Sequence, residues 1–366
     1  MPGPNNISNL AKTWKEITPV AKDFEGSVFS SDEVRMDEEV LAEYKSKETQ
    51  AHIDERNKSK KLEITCAMSM EREDWFGEEE RFSDDTSLEF ESMAVFPTSE
   101  IDDSFNHVDA VVGIKNKDTG YKPVPFAIDM TLDESKLGGK MSWRHVWGKM
   151  DFCPADESEF GHVVPKDGKM VVRPQPLTRR RGMNIPGFTA VKYFEDKNSG
   201  LAPMFEKGRI TLMPRFVVGF GAGTVTGAKS DDLIELLAWE GLSDDYPENL
   251  REQYAEKYDM AVRKAKWCTL LELRQQALDI RHYLSKMSAE AREKLDPDEL
   301  AMATEQIDML CTYFKHAVEV ADKRAAQRNA DGKAETIAKR YAERKDKMVD
   351  GIFTSSHSIY IDRVQL

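Results

Sequence analysis

The chain changes its hydrophobic period twice. Residues 37–61, "DEEVLAEYKSKETQAHIDERNKSKK", carry only Val40, Leu41, Tyr44 and Ile53 as a thin apolar stripe among strong helix formers. That pattern predicts a helix lying on the surface. The "LEITCAMSM" that follows fits a short strand or a continuation of the helix. Residues 1–35 hold no sustained period, and Pro2, Pro4, Pro19 and Gly26 predict an irregular start. From about residue 86 to 245 the pattern becomes strand-like. "HVDAVVGI" and "PFAIDMT" are apolar and β-branched, and the "KNKDTGYKPVP" between them has the composition of a turn. "GRITLMPRFVVGFG" is the strongest strand segment, with Pro214 predicting a break, a bulge or an edge position. "SKLGGKMSWRHVWGKM" and "SDDLIELLAW" predict helices on either side of it, the second with Ser230 as N-cap.

Beyond residue 248 the period turns helical. Tyr254, Tyr258, Ala261, Val262, Ala265, Leu270, Leu273, Ala277, Ile280 and Leu284 recur at spacings of three and four. "LDPDEL" supplies a helix start, with Asp296 as N-cap, Pro297 at the first helical position and Glu299 two further on. The next stripe is Leu300, Ala303, Ile307, Leu310, Phe314 and Val318. A third helix is predicted over residues 333–350, and "SIYIDRV" as a closing strand. The expected fold is therefore α+β or α/β. Residues 1–85 form an acidic, partly helical segment and 86–245 a core with a mixed β-sheet flanked by helices. Residues 246–366 form a helical hairpin or bundle with a short strand.

Charge sharpens this division. The 366 residues carry a formal net charge of −14, but residues 23–105 hold 25 Asp and Glu against nine Lys and Arg, whereas 249–366 are nearly balanced. The N-terminal third is thus unsuited to a general electrostatic grip on nucleic acid. No run approaches the ~18 apolar residues of a membrane span. The start lacks the layout of a secretory signal, and Cys66, Cys153, Cys268 and Cys311 are scattered singly. Buried thiols in a cytoplasmic protein without membrane attachment are expected.

The candidate chemistry lies in the two central strands, which carry Asp109 and Asp129 inside otherwise apolar runs. Two readings are open. Each aspartate sits at a solvated strand end, where Asp129 before "TLDES" caps a turn and Asp109 faces water. Alternatively, both meet at a hard divalent ion, which takes carboxylate oxygens, waters and substrate phosphate. An acidic helical residue, a strand with Asp, a strand ending in Asp-x-x, a helix and a further strand resemble the PD-(D/E)XK nuclease-like core over roughly residues 86–225. The resemblance implies an αβββαβ core and Mg²⁺- or Mn²⁺-dependent hydrolysis of DNA or RNA phosphodiesters. It also implies metal ligation by Asp109, Asp129 and Glu91, with Glu89 the alternative glutamate. Thr131 stands where that family has lysine, so Lys136 or Lys140 would supply the positive charge from the following helix. A core that has lost its chemistry is the other outcome of that departure. The rival is a non-enzymatic structural or interaction protein that binds a protein partner or a second copy through its C-terminal helices.

Other features carry less. Gly219, Gly221 and Gly223 have the wrong spacing for a dinucleotide loop and precede Asp231 and Asp232, so a glycine-rich turn is expected. Arg173 and Arg179–Arg181 read as a solvated basic loop, or as a phosphate-contacting one beside the acidic strands. Trp143, Trp147 and Met150 read as core, and His107 and His145 as surface or core residues.

Overall fold

The computed structural model describes residues 5–72, 75, 90–116, 123–131, 162–166, 169–173, 185, 187–197, 205–219, 237, 239, 245–293 and 295–329. Its central feature is a five-stranded mixed sheet of β1 (Phe90–Pro97), β2 (Ala110–Asn116), β3 (Pro123–Thr131), β6 (Phe188–Phe194) and β7 (Gly208–Gly219), in the order β1-β2-β3-β7-β6. β1, β2 and β3 form an antiparallel meander, β7 runs parallel to β3, and β6 closes the edge antiparallel to β7. A separate hairpin pairs β4 (His162–Lys166) with β5 (Lys169–Arg173). Helices α1 (Asn5–Ile17), α2 (Ser31–Ser46), α3 (Gln50–Arg72) and α4 (Glu100–Asn106) precede or interrupt the meander. α5 (Glu248–Lys286), α6 (Ala289–Glu293) and α7 (Pro297–Asn329) follow the sheet.

Strand alternation divides the sheet into two faces. Val124, Phe126, Ile128 and Met130 of β3, with Ala110, Val112 and Ile114 of β2, join α3, α5 and α7 in the main core. The predicted helical stripes supply the other half, with Val262, Ala265, Leu270, Leu273, Ala277, Ile280 and Leu284 of α5 all buried. Ala303, Ile307, Leu310, Phe314 and Val318 of α7 are buried as well. Phe126, Phe216 and Phe314 meet edge-on, with centroids 5.6–5.7 Å apart, pinning β3, β7 and α7 together. Each such contact adds about 0.5–1.5 kcal/mol beyond simple burial. Gly187, at φ +84°, lets α5 approach closely, since a Cβ there would lie 2.7 Å from Ile280. Gln276 of α5 covers the β7 edge past the end of β6. Its Oε1 accepts from Val217 N–H at 2.9 Å and its Nε2 donates to Val217 C=O at 2.6 Å.

The α+β architecture and the C-terminal hairpin match the sequence reading, and Asp296 caps α7 through the N–H groups of Asp298 and Glu299. Three expectations are corrected. Of the segment expected to be irregular, residues 5–35 are largely regular, because α1, a 3₁₀ turn (Ala21–Phe24) and the start of α2 occupy most of them. The single surface helix over 37–61 is two helices broken at 47–49, and the second runs through "LEITCAMSM" with Leu62–Ala67 buried. Glu91, expected on a helix, has its backbone in β1 beside a register shift between Phe90 and Ser92. Pro214 does sit at a limit of pairing, opposite Phe188 at the end of the β6–β7 ladder. The helices expected over 136–150 and 230–239, the third C-terminal helix and the closing strand fall outside the described elements.

Candidate metal centre and a neighbouring buried ion pair

The β2–β3 ladder ends with Ala110 opposite Ile128, so Asp109, just before β2, and Asp129, in β3, lie at the same end of it. The two aspartates nevertheless have different partners. Asp129 shares a sheet face with Ala127, and the parallel ladder pairs Ala127 with Arg215 and Asp129 with Val217. Arg215 is thus the diagonal neighbour of Asp129, and its Nη2 donates to Asp129 Oδ2 in a fully buried ion pair. The same guanidinium donates from Nε to His107 C=O at 3.0 Å. His107 closes α4 in the left-handed conformation, φ 53°, which turns the chain towards β2. Asp129 is therefore matched by an arginine anchored to two strands and a helix end.

Asp109 lies in the bend before β2 and is 5% exposed. Its backbone N–H donates to Ile128 C=O at 2.9 Å, and its Oδ2 accepts from Met130 N–H. The carboxylate thereby takes the next acceptor place in the ladder that the bend leaves vacant. Thr98 Oγ1 donates to Val108 C=O, tying the end of β1 to the same bend. Asp109 also belongs to a group with Glu63 of α3 and Asp103 of α4, in which one oxygen from each lies within 4.8 Å of the others.

Lys60, one helical turn before Glu63, projects into this group. Its ammonium is 3.0 Å from Glu63 Oε2 and 3.0 Å from Asp103 Oδ2. Burial alone would pull the Lys60 pKa down, but Asp103, Glu63 and Asp109 outweigh it and hold it above the ordinary lysine value. Glu63 is 6% exposed, whereas the side chains of Asp103 and Lys60 are 28% and 35% exposed, so solvent reaches the group from their side. Three oxygen donors and no sulfur or nitrogen ligand suit a hard cation such as Mg²⁺ or Mn²⁺. Oxygens on opposite sides of six-coordinate Mg²⁺ are about 4.2 Å apart, so a small closure of the carboxylates would reach ligation distance.

The sequence-derived set is thus divided. Asp109 is in the carboxylate group and Asp129 is in the arginine pair. The backbone of Glu91 is in β1 and that of Arg173 in β5, while Glu89, Lys136, Lys140, His145 and Arg179–Arg181 lie outside the described residues. Sequence reasoning missed Glu63, Asp103 and Lys60. Two local signals point to them. Lys60 and Glu63 share one helix face at i and i+3. Ser99 is the N-cap of α4, its Oγ accepting from Asp102 N–H, which fixes the helix start and hence Asp103 in its first turn. Among the described residues, no helix is long and apolar enough to cross a membrane. Comparison with protein-family models, with curated proteins and with solved structures finds no match to this chain.

Proposed function

We propose that the chain is a divalent-metal-dependent phosphodiesterase built on a nuclease-like core, with Glu63, Asp103 and Asp109 as the metal-holding carboxylates and Lys60 as the lysine of the site. The observation that carries this reading is the convergence of three carboxylates from α3, α4 and the bend before β2, two of them paired with the Lys60 ammonium. The order α3, β1, β2, β3 supports it in part, since it gives the αβββ start of the αβββαβ succession that the resemblance implies, with α4 inserted between β1 and β2. A divalent ion held there supplies Lewis acidity towards a phosphate oxygen and lowers the pKa of water. Asp109 and Glu63 hold the buried side of the site, and Asp103 the solvent side. Lys60 relieves repulsion among the carboxylates and offsets the charge of an approaching phosphate. Asp129 has a supporting role in this scheme, fixing the end of β3 through Arg215.

DNA and RNA are the substrates to test. Plasmid and single-stranded RNA are incubated with Mn²⁺ or Mg²⁺ and the wild-type chain, Asp109→Ala or Glu63→Gln. Cleavage by the wild type that falls at least a hundredfold in both variants is the expected result. The non-enzymatic reading is favoured by one specific observation, that Lys60 already neutralises part of the carboxylate group. Absence of both cleavage and Mn²⁺ binding in the wild type would select it, leaving a scaffold that recruits a partner through α5 and α7.

A further inference from the structure

α4 has seven residues, too few for a helix to hold its own conformation in water, so its placement depends on what its side chains touch. Three successive residues of its first turn make those contacts. Ile101 packs into a small apolar core with Phe24, Phe29, Val34 and Tyr193. Glu100 pairs with Lys45 Nζ at 2.6 Å, but both side chains are well exposed, where such a pair contributes little. Asp102 is fully buried and supplies the polar anchor.

The Asp102 carboxylate is tied to β6 and to the helix cap at once. Its Oδ1 accepts from Lys192 N–H at 2.8 Å and its Oδ2 from Tyr193 N–H at 3.0 Å. The two N–H groups reach one carboxylate where β6 leaves regular pairing with β7, at the register shift between Val191 and Phe194. Ser99 Oγ donates to Asp102 Oδ2 at 2.7 Å and accepts from Asp102 N–H at 3.1 Å. A buried carboxylate is tolerated when donors surround it, and three donors from two elements also fix its direction.

Consecutive residues of an α-helix lie about 100° apart around its axis, so the direction of one sets that of the next. With Asp102 held on β6, Asp103 projects towards α3. There its Oδ2 lies 3.0 Å from Lys60 Nζ, and it joins Glu63 and Asp109 in the carboxylate group. We infer that Asp102 is a positioning residue for the metal centre: its hold on β6 fixes the rotation of α4 and thereby keeps Asp103 within reach of the ion. This role rests on the metal-holding function proposed above for Asp103. Asp102 is not one of the three carboxylates and acts on the ion only through the helix. Outer partners that orient a metal ligand typically contribute roughly ten- to a hundredfold in affinity.

The test is Mn²⁺ binding, followed by electron paramagnetic resonance, in the wild type, Asp102→Asn, Asp103→Ala, the Asp102→Asn/Asp103→Ala double variant and Gln276→Ala. Asparagine keeps the size of Asp102 but presents a second donor where β6 needs an acceptor. Asp102→Asn and Asp103→Ala should each weaken binding about tenfold. The double variant should bind no more weakly than Asp103→Ala, because both changes act through one ligand. Gln276→Ala strips the buried Val217 backbone of its partner and lowers stability away from α4, so it should bind as the wild type does. That control separates positioning from a general loss of stability. Ser99→Ala, which removes the hydroxyl that orients the carboxylate, takes the place of Asp102→Asn if that variant does not fold, with the same non-additive weakening expected. Wild-type affinity in a folded Asp102→Asn or Ser99→Ala beside a weakened Asp103→Ala would overturn the inference and leave the metal reading standing, as would additive losses in the double variant. No binding by the wild type, or binding untouched by Asp103→Ala, would remove the metal reading and this role with it.

Discussion

Asp109 and Asp129 lie at the same end of the β2–β3 ladder, yet their electrostatic surroundings differ. Asp129 meets one arginine, which is itself held by a backbone carbonyl, and the pair is closed to solvent. Asp109 joins two other carboxylates around one partly exposed lysine. A matched buried pair is a structural element, since removing either partner strands a charge in a dry environment. Three carboxylates that each bring an oxygen within 4.8 Å of the others can instead hold a cation. The position of the partners, more than that of the aspartates, separates the buried ion pair from the candidate metal-holding group.

The largest effect that probes this contrast is expected on the matched side. Arg215→Met, which leaves Asp129 buried without its guanidinium, should destabilise the fold by about 3–5 kcal/mol in urea unfolding. Asp129→Leu/Arg215→Met should recover most of that loss, because an apolar pair of similar volume removes both charges. If the double variant is as unstable as the single one, the pair has a role beyond mutual neutralisation.

On the carboxylate side the expected effects are smaller and depend on the ion. Lys60→Met should lower stability by about 1–2 kcal/mol without metal, and added Mn²⁺ should restore it more fully than it stabilises the wild type. Unfolding midpoints measured with and without Mn²⁺ check this, and an equal Mn²⁺ response in both proteins would contradict it. The folded pKa of Lys60 lies above its ordinary 10.5, so its pairing stabilises the fold at every pH below that value. The contribution fades as pH rises through the folded pKa. Stability of the wild type should therefore fall in strong alkali more steeply than that of Lys60→Met.

The smallest effect concerns Glu71, whose carboxyl burial pushes upward in pKa. The folded state then favours the protonated form, so the charged Glu71 opposes folding at neutral pH, and this opposition is relieved as pH falls through its raised value. Glu71→Gln should be neutral or slightly stabilising at pH 7, within about 0.5 kcal/mol, and its advantage should shrink on acidification. An advantage that grows with acid would reverse the sign of the argument.

The contrast also marks what the sequence could disclose. Local signals were readable, as with Asp296 and Pro297 at the start of α7, or the three-and-four spacing along α5. The strands around Asp109 and Asp129 were readable for the same reason. α3 was ambiguous because Glu63, Thr65 and Ser69 are buried polar residues on an almost wholly buried turn, which blurs the helical stripe. Glu91 was assigned to a helix although Met93–Phe96 form an apolar run that pairs with β2. The partners of the two aspartates were not readable. Arg215 reaches Asp129 only because β7 lies parallel to β3, and Lys60 reaches Asp109 only through the packing of α3. Both are consequences of tertiary arrangement and leave no trace in spacing.

The most direct test of the central claim is Mn²⁺ binding followed by electron paramagnetic resonance. Wild type and Asp129→Leu/Arg215→Met should each bind one ion, and Glu63→Gln and Asp109→Ala should bind at least tenfold more weakly. Equal binding by all four proteins, or none by the wild type, would contradict the assignment of the cation to Glu63, Asp103 and Asp109.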